Sequence, residues 1–381
     1  MTDVAIVGVG LHPFGRHGDK LCLQMGADAA HSALADAGTD WTAVQSAFIG
    51  SYVVSNPDAI VSWMGLTGIP VRGVFNGCAT GGTSLQMAVD AIKHGEADVA
   101  MAIGLDKHPR GAFSADPSVV GLPQWYGQTG MFLTTHFFGT KINKYMHDHG
   151  VSQTTLARIA AKNLANGAIT PHAWRQKPVS VEDILSSEVV NYPLTRYMYC
   201  NPDEGAAAVV LCRADIAHKF TSTPVYVRAA VLRSRRYGAF ELQSPSLPLE
   251  TAPSPSVDAS EAAYEAAGIG PEDVSVAQLQ DTDAGSELIH MAENGFCGDG
   301  EQEKWIAEGM TEIGGKLPVN TDGGLIANGE PIGASGLRQI YEIVLQLQGR
   351  AGQRQVPNDP QVGYTHLYGA PGASAVSILS R

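Results

Sequence analysis

Phe75-Asn76-Gly77-Cys78-Ala79-Thr80-Gly81-Gly82-Thr83-Ser84 is a turn of small residues that carries one cysteine and runs straight into a helical pattern, Leu85 to His94. The first N–H groups of a helix have no partner inside it and mark the positive end of its dipole. A thiol held there loses its proton more readily. Flanking glycines let a bulky ligand approach the sulfur. The stretch predicts a nucleophilic Cys78 at the mouth of a helix. The competing reading is a small buried hydrophobe, the state of most free cysteines.

Upstream, Val4 to Val9 is a short apolar run ending in glycine, as expected of a central strand in an α/β sheet. Gly8-Val9-Gly10 is followed by Leu11-His12-Pro13, and the missing third glycine rules out a dinucleotide fingerprint. A helical pattern from Cys22 to Ala37 stops at Gly38, and Val44 to Ser51 reads as a strand. Downstream, Val99 to Gly104 is another buried strand. From about 112 to 190 the character changes. An aromatic and small-residue segment (127–141), a helix over Val151 to Asn166 and a basic irregular stretch, Pro171 to Pro178, suggest an insertion laid over the core. The core resumes at Glu204-Gly205-Ala206-Ala207-Ala208-Val209-Val210-Leu211.

The whole chain has 381 residues, 44% of them hydrophobic and 17% charged, enough for an ample folded core. A net charge of -13 argues against general nucleic-acid binding and against docking on anionic membranes. Five cysteines without regular spacing form no disulfide framework and match no zinc pattern, so no metal site is expected. The amino terminus reads as a strand and no apolar run approaches the roughly 18 residues of a membrane helix, which predicts a cytoplasmic protein.

A second half repeats the first. Ala29 to Gly38, before the strand at Ser46, is similar to Ala262 to Gly268, before the strand at Val276; Gly205 to Leu211 is similar to Gly372 to Leu379. The turn and helix at Cys78 has its counterpart in Asn320 to Gln348. Two βαβ-rich halves predict a five-layered αβαβα sandwich with the active site at their junction. The halves are expected at 1–243, including the insertion, and 257–381, separated by the Pro- and Ser-rich Ser244 to Ser256.

Asn76-Gly77-Cys78-Ala79-Thr80-Gly81-Gly82, Asn320-Thr321-Asp322-Gly323-Gly324 and Gly329-Glu330-Pro331-Ile332-Gly333-Ala334-Ser335-Gly336, with the duplication, resemble the thiolase superfamily. The nearest group is similar to the sterol-carrier-protein-X type thiolases and lipid-transfer-protein-like acetyl-CoA acetyltransferases. Tyr145-Met146-His147 and Pro202 to Ala207 extend the likeness over essentially the whole chain. The resemblance implies the thiolase fold and cleavage or formation of a carbon–carbon bond beside a coenzyme A thioester. Coenzyme A serves as substrate, with no covalently held cofactor. It implies Cys78 as the acylated nucleophile, Gln280 as an oxyanion-site donor and His366 in place of a second acid/base cysteine. By position His147 is a pantetheine contact, and the basic Arg175 and Lys177 suit the nucleotide phosphates. Relatives are dimers or larger, and some work with a small zinc-ribbon/OB-fold partner protein.

The departure is Glu330, where the family pattern Gly-His-Pro reads Gly-Glu-Pro. An ionised carboxylate beside a thiol raises the thiol's pKa and donates nothing. Either burial holds Glu330 protonated, or it is a general base. A plain turn residue at Glu330 and a satisfied core histidine at His366 are the bland alternatives. Asp281 and Asp283 could be catalytic carboxylates or loop-orienting ones. Three functions stand open: a thiolase-type acyltransferase on a bulky 3-oxoacyl-CoA, as in lipid or aromatic breakdown; a retro-aldolase on a 3-hydroxyacyl-CoA with a steroid-like side chain; and a non-catalytic lipid-thioester carrier.

Overall fold

The computed structural model describes residues 3–110, 116–120, 123–128, 130, 133–237, 252–370 and 372–381. The elements in order are β1 (Val4–Gly15), α1 (Cys22–Asp36), β2 (Ser46–Gly50), α2 (Val61–Met64), β3 (Val71–Val74), α3 (Thr80–Lys93) and β4 (Val99–Lys107). Then come α4 (Trp125–Gln128), α5 (Thr134–His149), α6 (Gln153–Ala168), α7 (Val181–Ser186), β5 (Val189–Asn191), β6 (Leu194–Thr195) and β7 (Glu204–Arg213). The remainder is β8 (Val225–Ser234), α8 (Pro255–Ala267), β9 (Val276–Gln278), α9 (Ala284–Glu293), α10 (Gln302–Ala307), α11 (Gly324–Asn328), α12 (Ile332–Leu347), β10 (Val362–Gly369) and β11 (Ala373–Ser380).

Nine strands hydrogen-bond in the order β3-β2-β4-β7-β1-β8-β11-β10-β9. Outward from the centre, β1-β7-β4-β2 and β8-β11-β10-β9 carry the same succession of antiparallel, antiparallel and parallel pairings. Even the outermost β2–β3 pair has a vestige opposite, the parallel bridge Ala277↔Val319. The repeat is therefore present in topology as well as in sequence. The two sets meet through Ala5↔Tyr226 and Ile6↔Val225 only. Pro13 is accommodated in β1 because its pairing with β7 skips between His12 and Gly15, where no N–H is needed.

Alternation along the strands builds the layers. In β7, Ala206, Ala208, Val210 and Cys212 face one core with α1; Ala207, Val209 and Leu211 face another with α3 and α12. On the second set, Tyr364, Val376 and Ile378 face a third core that holds α8 and α9. The sequence is α1, strands, α3 with α12, strands, α8 with α9: five layers. The two central helices touch where a side chain at Gly81 would come within 3 Å of Gly336 Cα, so only glycine permits that approach.

The 112–190 insertion carries α4 to α7 where it is described, with α5 and α6 packed on α9 to α11 and an irregular stretch between α6 and α7. Of the expected Ser244–Ser256 divider, residues up to 251 lie outside the described residues. The Asn320–Gly324 motif is a clasp: Asp322 pairs with Arg338 of α12, both fully buried, and Asn320 Oδ1 accepts from Leu279 N at 3.0 Å. Removing one partner strands a buried charge, so Asp322→Ala is expected to cost about 3–5 kcal/mol in denaturant unfolding. No helix among the described residues is long and apolar enough to cross a membrane.

Candidate active site

Cys78 precedes α3 by two residues, at the junction of the halves: the turn after β10 backs onto its loop, and a Cβ on Gly77 would meet Ala370 O at 2.6 Å. Opposite it, α11 ends and α12 begins. Gly329 turns the chain at φ 93°, Glu330 follows, and Pro331 caps α12. The first amides of α12 are held from β4: Gly333 N donates to Asp106 at 2.6 Å and Ile332 N to His108 Nε2 at 3.3 Å. Asp106 also accepts from Ser51 Oγ and the Tyr52 and Val53 amides, so the loop after β2 and the start of α12 share one anchor.

Glu330 is fully buried with its side chain turned toward Cys78, so the bland reading of a plain turn residue fails. Its backbone N–H donates to Asn201 O at 2.8 Å. Gln280 Nε2 donates to its Oε1 at 2.9 Å and Cys200 Sγ to its Oε2 at 3.4 Å, while the Cys78 thiol lies beside the same carboxyl. Burial lifts the Glu330 pKa above the ordinary carboxylate value, and hydrogen bonds from the two thiols and the amide pull it part of the way back. Burial, followed by the Glu330 charge, pushes the Cys78 thiol well above the ordinary thiol value. The helix-mouth expectation of an easily ionised thiol is thereby corrected: two of the amides there are already used, Ala79 N by Asn76 O and Thr80 N by Gly77 O, and burial with the neighbouring carboxylate favours the neutral thiol.

The structure thus brings Cys78, Gln280 and Glu330 together. It does not bring His366 to them. His366 lies on β10 with its Nε2 2.9 Å from Ser256 Oγ of α8 and its ring 4.4 Å from that of His290 of α9. Its neighbour Leu367 is the residue that faces Ala79. Successive side chains on a strand point to opposite faces, so His366 belongs to the outer layer and the shuttle role is withdrawn. Arg175 is tied into the structure. It is half-buried, and its Nη1 donates to the carbonyls of Tyr199 and Ile326, both at 2.9 Å, while the residue borders the open cleft beside Lys177. His147 is exposed at the end of α5 against Asp148, away from the centre. Lys177 is exposed on the wall of an open cleft of about 1000 Å3. Asp281 caps α11 through the Leu325 and Ile326 amides, and Asp283 caps α9 through Gly285 and Ser286; neither is a free catalytic carboxylate.

Two further residues, neither given a role in the sequence, stand at the centre. Cys200 sits against Glu330 and lines a cavity of about 480 Å3 with Arg16, Arg110, Phe138, Trp174, Arg196 and Thr282. Asp203 is fully buried with neither carboxylate oxygen partnered, and burial raises its pKa well above the ordinary value. A Cβ on Gly329 would lie 1.9 Å from Asp203 Oδ2, at a backbone angle that disfavours side chains. Gly329→Ala is therefore expected to cost about 2 kcal/mol or more and to displace Glu330, seen as lowered stability with activity lost. Among the described residues no cluster of three or more His, Cys, Asp or Glu could hold a metal ion.

A thiol beside a carboxyl at a helix mouth, between two like halves, is an arrangement that can carry acyl transfer through cysteine. Residues 4–191 match the family described as thiolase, N-terminal domain, and residues 247–381 the thiolase C-terminal domain-like family. The chain belongs to the thiolase family and is a thiolase-type acyltransferase. Sterol carrier protein 2 of Bos taurus is 32% identical over 98% of this chain and 72% of its own length. Benzoylsuccinyl-CoA thiolase subunit BbsB of Thauera aromatica is 32% identical over 96% of this chain and 94% of its own. The solved structure of an Ltp2-ChsH2(DUF35) aldolase superposes with a TM-score of 0.85, at 24% identity over 99% of this chain and 97% of that one; at that identity the likeness is one of fold.

Proposed function

We propose that this chain cleaves, or in reverse forms, the C2–C3 bond of a bulky 3-oxoacyl-CoA through an acyl group on Cys78. The observation that carries the reading is the contact between the Cys78 thiol and the buried Glu330 carboxyl. Transfer of the thiol proton to Glu330 leaves a thiolate beside a neutral acid, so no second charge is created in a dry site. The protonated Glu330 is then a donor, as the family histidine would be, for the oxyanion formed when sulfur attacks C3. Gln280 Nε2 holds Glu330 in place by donating to the carboxyl's Oε1 at 2.9 Å, and it also donates to Thr282 Oγ1 at 3.1 Å.

The apolar and aromatic lining of the 480 Å3 cavity, Phe138, Trp174, Val190 and Tyr199, suits a bulky acyl chain, and the benzoylsuccinyl-CoA relative acts on one. Arg196 and Trp174 border both this cavity and the cleft that holds Lys177, a path that suits pantetheine with the nucleotide outermost. We place the enzyme in the cytoplasm, as at least a two-fold dimer, with a small zinc-ribbon/OB-fold partner protein. A subunit among the relatives and a two-protein complex among the solved structures support the partner.

The test is cleavage of aliphatic and aryl 3-oxoacyl-CoA esters, with and without free CoA and with any co-encoded small partner. The reading expects two acyl-CoA products that appear only with CoA. Release of an aldehyde or ketone from 3-hydroxyacyl-CoA esters instead would make it an aldolase, and tight binding without turnover would make it a carrier.

A further inference from the structure

The steps above leave Cys200 without a task, although it occupies the centre of the site. Its sulfur lies 3.4 Å from Glu330 Oε2, and its backbone N–H is fixed on Thr282 O at 2.9 Å. It lines the 480 Å3 cavity together with Asn201 and Thr282, so it faces both the carboxyl and the space open to a substrate. Cys78 reaches the same carboxyl from the mouth of α3. Gln280 Oε1, buried at this centre, has no partner, leaving an acceptor free toward an incoming group. His366, the residue expected to move the second proton, is on the far face of its strand.

We propose that Cys200 is the second catalytic group of the carbon–carbon step, acting on the carbon that leaves Cys78. The proposal rests on the thiolase reading. As Cys78 sulfur bonds to C3, its proton passes to Glu330. The C2–C3 bond breaks with its electron pair on C2, and Cys200 gives its thiol proton to C2, releasing the shortened acyl-CoA. The Cys200 thiolate then takes the proton of incoming CoA, whose sulfur attacks the acyl carbon. The carbon–sulfur bond to Cys78 breaks, and Cys78 recovers its proton from Glu330. Every proton is returned. Burial and the adjoining carboxyl keep the Cys200 thiol protonated at rest, the form a donor to an enolate needs.

The experiment separates acylation from carbon–carbon cleavage in Cys200→Ala and in Cys200→Ser, which keeps the volume of the side chain. Acylation of Cys78 is followed by mass with a simple acyl-CoA that lacks the 3-oxo group; cleavage is followed with 3-oxoacyl-CoA and CoA. Thiolate leaving from sulfur needs an acid far less than a carbanion does. The proposal expects cleavage to fall by about 10²–10⁴-fold while acylation changes by less than about tenfold. Equal loss of both in a variant that unfolds like wild type, or cleavage at the wild-type rate, overturns the role of Cys200 and leaves the thiolase reading intact. Absence of any adduct on Cys78 in the wild type overturns that reading and this proposal with it.

Discussion

Replacing Cys78 with alanine is expected to lower CoA-dependent cleavage of 3-oxoacyl-CoA by about 10⁴-fold or more, with unfolding almost unchanged. The size of the effect follows from the position of the sulfur. It is the thiol held at the helix mouth, beside the Glu330 carboxyl that takes its proton in the proposed reaction. Cys200 is near, but it comes from the irregular segment between β6 and β7 and not from a helix mouth. A Cys78→Ala enzyme that still cleaved at a tenth of the wild-type rate would remove the acyl-cysteine from the mechanism. Retained release of aldehyde or ketone from 3-hydroxy esters would replace it with aldol chemistry.

Glu330→Gln is expected to lower kcat/KM by about 10²–10⁴-fold, the usual contribution of a positioned base. The sign of the pH dependence follows from the raised pKa of this carboxyl. As a base Glu330 must be ionised, so kcat/KM of the wild type rises with pH through the raised value, and the glutamine variant loses that limb. Stability runs the other way. A carboxyl whose folded pKa exceeds its unfolded pKa binds protons more tightly in the native state. Its contribution is therefore present at low pH and is lost as pH rises through the folded value. Rate and stability should cross in the wild type, and Glu330→Gln should flatten both. A rate that falls with pH over the same window would show Glu330 acting as a resting acid.

The fold was largely legible because its signals are local and repeated. Small residues before a helix, apolar strands bounded by glycine and two matching successions of them are written in continuous stretches, and the strand orders agree with them. Cys78 was legible as part of such a stretch, and Glu330 by its contrast with the family pattern. Gln280 came only with the family resemblance, and Cys200 not at all. Cys200, Gln280 and Glu330 arrive from three separate segments that no spacing connects, and only the packing of the Tyr199–Asn201 segment against Thr282 and Glu330 makes them neighbours. His366 shows how little separates a right position from a wrong one: Leu367, one residue on, faces the Cys78 helix, and His366 faces Ser256. Arg175 reads as a free cation in sequence because the carbonyls that absorb it, at Tyr199 and Ile326, are remote along the chain.

The central claim, that Cys78 carries the acyl group, is tested most directly by mass spectrometry of the intact protein and its peptides after brief mixing with a panel of 3-oxoacyl-CoA esters. The account predicts an increment equal to the acyl group, mapped to the peptide containing Cys78, discharged by added CoA and absent from Cys78→Ala. An increment mapped to another residue, or none with any ester while substrate is consumed, would contradict it.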